Sequence, residues 1–264
     1  MKKLVSVDIY AQFGFLKKPD INDGIYLTYN MLHKPAIQGI LGAILGLDGY
    51  SFEGTMDNTE IPEYRRKLID VKISLQPLNS VNGNFKKDVI RYTNTVGYAS
   101  KEEGNVLIVN EQTLIKPSYR LFIYFDTQQE LQDELFKRLK NQEAEYIPYL
   151  GKNDHQLWWE NYLEWSIEDA DFKPTNGYRI DSVFLKIDED EKLLKVKEPD
   201  SWGELEKNEF AYFERLPKGW QKELPHYELG EFLYTNFTLD PNSQVSGLIK
   251  ISNQQEGNYV IQLF

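Results

Sequence analysis

The sequence predicts an α+β protein, a ferredoxin-like βαββαβ domain followed by a strand-rich extension. Three observations predict it. Apolar Val5, Val7, Ile9, Ala11 and Phe13 alternate with polar residues, which marks a half-buried first strand. Residues 35–47, Pro-Ala-Ile-Gln-Gly-Ile-Leu-Gly-Ala-Ile-Leu-Gly-Leu, then carry Ile37, Ile40, Leu41 and Ile44 at helical spacing. Beyond them the order strand, strand, helix, strand completes a split βαβ plan.

Each element has its own justification. Pro35 is tolerated in a first helical turn. Gly39, Gly42, Ala43 and Gly46 form a second stripe on that helix, spaced i, i+3, i+4, i+7. A helical glycine costs about 1 kcal/mol against alanine, so the stripe implies close approach of another backbone. Packing of helix on sheet is the simplest way to provide it. A membrane span is excluded, because about 20 apolar residues are needed and Gln38 interrupts this shorter run. Ile69, Val71, Ile73 and Leu75 alternate with polar residues as a second strand. Residues 79–105 form a long polar connection, with Asn-Gly at 82–83 and Glu-Gly at 103–104, and such length inside a compact domain points to function or mobility.

Residues 106–109 and 119–125 read as further strands, the latter apolar on both faces and therefore central. Thr127 with Glu130 reads as a capping box for a helix that buries Leu131, Leu135 and Leu139. Tyr146 to Leu150 supplies the last strand of a domain spanning 1–150. The region 151–264 reads as an antiparallel extension, with strands at 178–187, 193–196, 210–215, 231–237, 245–251 and 259–264. The acidic run 188–191 is expected to be a solvated turn between two of them.

Composition narrows the function classes. A chain of 264 residues with 41% hydrophobic and 27% charged residues is globular in character. The absence of cysteine excludes disulfides, thiol catalysis and cysteine-bound metal. Lys2 and Lys3 precede a charged strand and not an apolar signal sequence, so a cytoplasmic location without membrane contact is expected. The net charge is −11, yet residues 1–125 sum to +2 and residues 126–264 to −13. The first half can therefore present a basic face despite the total. His33, His155 and His226 lack metal-ligand spacing, and no phosphate loop or serine elbow is present. No cofactor, no metal and no catalytic residue is expected. Lys86, Lys87, Arg91 and Lys101 interleave with Phe85, Tyr92 and Tyr98, a composition that suits single-stranded nucleic acid as well as an ordinary solvated hairpin. Trp158, Trp159 and Trp165 fit core or partner-interface packing better than base stacking.

Two motifs carry a family resemblance. The run Tyr29 to Gly46, with its Pro35-Ala36-Ile37-Gln38-Gly39-Ile40-Leu41-Gly42-Ala43-Ile44-Leu45-Gly46 core, resembles the first-helix signature of CRISPR-associated protein family five. Phe13 to Lys18 resemble the strand end before it, and Tyr149-Leu150-Gly151-Lys152 resembles the element that closes the family's ferredoxin-like part. The likeness covers about residues 1–155 and is nearest to the type I-B group.

The resemblance implies a modified RNA-recognition fold with a β-hairpin thumb at about 79–105. It implies a non-catalytic subunit of a type I Cascade complex, active in antiviral defence, that caps the 5′ handle of the CRISPR RNA. The implied partners are that RNA, the backbone subunit (family seven), the large subunit (family eight) and, indirectly, target DNA. The RNA-binding set it suggests is Lys17, Lys18, Lys34, Gln38, Lys86, Lys87, Arg91, Tyr92, Lys101, Arg120, Lys152 and His155, with Gly39, Gly42, Ala43 and Gly46 giving close approach. Type I-C relatives instead mature the guide as metal-independent endonucleases, using tyrosine, lysine and histidine. The thumb segment here has no histidine, which favours binding over cleavage, and a protein-only interaction module is the third reading.

Overall fold

In the computed structural model the described residues are 1–19, 24–49, 61–94, 107–186, 209–221, 226–243 and 245–264. A six-stranded sheet organises them. Its first strand, β1 (Lys2–Ala11), lies between β6 (Ser118–Asp126) and β7 (Leu157–Asp169), and β3 (Lys72–Leu78) pairs with the far side of β6. All three pairings are antiparallel. This β7-β1-β6-β3 order is that of a ferredoxin-like domain, so the predicted fold class is the observed one. Two helices, α1 (Lys34–Leu45) and α3 (Glu130–Asn141), cover one face through a core that includes Val5, Val7, Ile9, Ile37, Leu41, Ile123 and Leu135.

The other face is partly closed by the chain itself. After β8 (Phe184–Leu185), β9 (Ala211–Trp220) and β10 (Tyr227–Thr235), the strands β11 (Leu248–Asn253) and β12 (Gly257–Gln262) extend the sheet beyond β7. The sheet curls far enough for Phe264 to exchange two backbone hydrogen bonds with Ile73 of β3, at 3.0 and 3.1 Å. Inside the curl, Leu4, Phe122, Trp165, Ile249, Ile251 and Ile261 form a second apolar cluster. Beside it Arg120 donates to both carboxylate oxygens of Asp8, at 2.7 and 3.0 Å, and meets Glu256 at 2.8 Å. Among the described residues no helix is long and apolar enough to cross a membrane.

Several expectations need correction. The fourth strand of the domain is β7 and not 146–150, where Tyr149 makes only an isolated bridge to Gln156. The alternation in β7 is hidden by a bulge at Asn161, whose φ is +53°. Across it the parity reverses, so Trp159 enters the helix-side core while Trp165 enters the inner cluster. The connection after β3 contains β4 (Lys87–Asn94), which pairs with β5 (Leu107–Ile115) as a long hairpin joined at its base by β2 (Phe13–Gly14). The tip of that hairpin, with Tyr98 and Glu103-Gly104, lies outside the described residues, as do the expected strand at 193–196 and the acidic turn at 188–191. Helix α3 is capped by Gln129 without a side-chain bond, and the Thr127 hydroxyl donates instead to the Met1 carbonyl.

The glycine stripe also resolves differently. Only Gly39 and Gly42 lie within α1. Gly46 stands just past its end at φ +75°, where Leu47 N–H bonds the Gly42 carbonyl at 2.9 Å, so the left-handed residue stops the helix and costs it nothing. The close approach at Gly42 is to a side chain and not to a backbone. A Cβ there would stand 2.5 Å from that of Tyr64 on the short helix α2 (Glu63–Lys67). Gly42→Val is accordingly expected to displace α2 and lower stability by about 1–3 kcal/mol, read by urea or thermal unfolding. Melting identical to the parent would show that α2 yields freely.

Candidate nucleic-acid interface

The exposed side of α1 is the floor of an open groove of about 1290 Å³. Ala36, Gly39 and Ala43 present that floor, and a Cβ at Gly39 would meet nothing within 4 Å. Gly39 and Ala43 thus keep a helix surface low and open, instead of admitting a packed neighbour. Tyr92, Val109 and Glu111, alternate residues on one face of the β4–β5 hairpin, build one wall. Tyr149, Gly151 and Lys152 build the opposing wall. Gly151 sits at φ +90°, and a side chain there would overlap the Phe15 carbonyl, so only glycine lets this loop close against the end of β2.

A charged cluster joins the two walls. Glu111 is 2% exposed and its two carboxylate oxygens accept from the Lys152 ammonium at 2.9 and 3.2 Å. The Tyr92 hydroxyl donates to the same carboxylate at 3.2 Å, and Lys152 lies 4.9 Å from the centre of the Tyr92 ring. Burial works against the Lys152 ammonium, but the Glu111 hydrogen bond and charge outweigh it and hold its pKa above the ordinary lysine value. Burial and the same carboxylate raise the Tyr92 phenol. Lys17 enters the groove from the other end, its ammonium 4.0 Å over the Tyr26 ring.

The remaining expected residues are distributed as follows. Lys18 and Lys87 turn to a different cluster, where Glu214 of β9 accepts from the backbone N–H of Asn30 and Met31 and lies 3.4 Å from Lys18. Lys87 donates to Asn30 Oδ1 at 3.0 Å, and burial lowers its pKa. Arg91 is exposed on the hairpin face opposite Tyr92. Lys86 is exposed in a separate depression at the strand ends. Lys34 is half-buried, its pKa lowered by burial and supported by Asp70. His155 is 6% exposed, packs at 6.0 Å from Phe13, and has its pKa lowered by burial and by Lys152. Lys101 lies outside the described residues.

Two of the expected contacts are withdrawn. Gln38 is buried and its amide donates to the Leu68 carbonyl at 3.1 Å, so it ties α1 to the turn after α2. Arg120 is held inside the curled sheet by Asp8 and Glu256. Sequence reasoning missed Glu111, Tyr26 and Glu214. Glu111 sits within a strand of alternating polarity, a signal that was present but carried no indication of its partner.

No family model matches the chain, and no curated protein matches it. Solved structures are similar in shape. A CRISPR protein from Archaeoglobus fulgidus matches over 99% of this chain and 100% of its own length, with 10% identity and a TM-score of 0.49. A chain of a CRISPR RNA-guided surveillance complex matches over 93% of each chain, with 12% identity and a TM-score of 0.46. A chain of the type III-B Cmr-beta complex bound to cognate target RNA matches over 90% of this chain and 86% of its own, with 12% identity and a TM-score of 0.43.

Proposed function

We propose that this chain is a non-catalytic RNA-binding subunit of a type I CRISPR surveillance complex. In this reading it caps the 5′ handle of the CRISPR RNA and contacts the backbone and large subunits. One observation carries the reading. The two segments that resemble family five, 35–46 and 149–152, lie more than a hundred residues apart, yet Gly39, Ala43, Tyr149, Gly151 and Lys152 meet on one groove. Its open floor leaves room for a polynucleotide backbone, Lys17 offers a cation without an ion pair among the described residues, and Tyr26, Tyr92 and Tyr149 offer rings for bases.

A second reading has its own observation. Tyr92 and Lys152 stand together with His155 nearby, and these are the residue types used by the nuclease relatives. Their acidities argue against catalysis. Cleavage of RNA needs a base and an acid tuned towards neutrality. Here the phenol and the ammonium are both held above their ordinary values, while the imidazole is enclosed. Purified chain incubated in EDTA with labelled repeat RNA is expected to retain the handle and leave it uncut. Specific cleavage at the handle boundary, abolished by His155→Ala, would establish the nuclease instead. No RNA affinity, alone or with the backbone and large subunits, would leave a protein-only module.

A further inference from the structure

We infer a second RNA contact, separate from the α1 groove, on the part of the inner sheet face that the curl leaves uncovered. On β1 the residues Leu4, Ser6, Asp8 and Tyr10 point away from the helices. Leu4 lies in the inner apolar cluster, Ser6 receives the Trp165 indole N–H and Asp8 is bonded to Arg120. Tyr10 is the exception. Its register partner is Trp158, which is 41% exposed and whose indole N–H makes no hydrogen bond among the described residues. The two rings line a depression of about 970 Å³ at the ends of β1, β6 and β7.

The charges there set it apart from the rest of the surface. In a chain with 41 acidic and 30 basic residues, no carboxylate among the described residues lines this depression, whereas Lys86 and Lys116 both do. Both lysines are exposed and neither has an ion partner among the described residues, unlike Lys18 and Lys152. Two acids border the rings without lining the depression: Asp8 and Glu160 both act on the Tyr10 phenol, and Glu160 hydrogen-bonds it from the next position along the sheet. An exposed indole and a half-buried phenol with two free cations suit a single strand, whose bases stack while its phosphates are neutralised. Gln12 and Gln156 also line it and supply amide donors and acceptors that a ribose 2′-hydroxyl can meet, which favours RNA. Trp158 also stacks at 4.5 Å on Trp159, so one ring face is already fixed by the core and binding orders little.

The test uses the full chain with short labelled oligouridine carrying 5-iodouracil, read by anisotropy and by mapping of photo-crosslinks. Crosslinks are expected on Trp158 or Tyr10. Trp158→Ala should weaken binding at this site about tenfold, Trp158→Phe should restore most of it, and Lys86→Ala with Lys116→Ala should flatten its salt dependence. Crosslinks confined to the α1 groove would overturn this inference and leave the handle reading standing, whereas crosslinks here alone would do the reverse. Equal affinity for the matching DNA would overturn the RNA assignment. Capture of an acidic peptide at Trp158 without any oligouridine binding or crosslink would overturn the inference and show a protein-docking surface instead.

Discussion

Asp8→Ala is expected to lower stability by about 3 kcal/mol and the melting temperature by roughly 10 °C. The carboxylate is 3% exposed and accepts three hydrogen bonds, two from the Arg120 guanidinium and one from the Asn161 amide at 3.1 Å. Removing it leaves a cation inside the curled sheet with Glu256 as its remaining partner, which places the loss at the low end of the 3–5 kcal/mol range for broken buried pairs. Asp8→Leu combined with Arg120→Met should recover most of the loss, because the charge that lacks a partner is then gone as well. RNA capture measured well below the melting temperature should survive in the double variant. A parent-like melting curve for Asp8→Ala would mean that the sheet opens enough for water to replace the carboxylate. Loss of RNA capture in the stable double variant would return Arg120 to the interface.

The helix-side half of this fold was legible because its signals are local. The alternation of β1, the spacing of Ile37, Ile40, Leu41 and Ile44, and the stripe of α3 each lie within a dozen residues. The bulge that inverts β7, and β4 within a polar connection, break the periodicity on which such reading rests. Polar residues fared worst. Gln38, Arg120 and Glu111 look alike in sequence, and only partners up to 112 positions away decide that one ties a helix, one locks a sheet and one tethers a lysine. The groove itself was half legible. Its floor and its Gly-Lys wall were visible as motifs, but the hairpin residue that joins them was not.

The same partner assignments divide the basic residues into two classes that salt can tell apart. Each phosphate contact made by a free cation contributes about 0.7 to the slope of log affinity against log salt for a single strand. Lys17 and Arg91 are exposed and make no ion pair among the described residues, so Lys17→Ala with Arg91→Ala should flatten the slope for handle RNA by about 1.4. Affinity at low salt should fall on the order of tenfold for the pair. Lys18 and Lys87 both feel the Glu214 carboxylate, and an ammonium already neutralised by protein holds few counterions to release. Lys18→Ala with Lys87→Ala should therefore change the slope by less than half as much, even if Glu214, left without its cations, lowers stability. Equal slopes for the two double variants would show that RNA displaces Glu214 from its lysines. A parent-like slope for Lys17→Ala with Arg91→Ala would place the phosphate path away from both Lys17 in the groove and the outer hairpin face that carries Arg91.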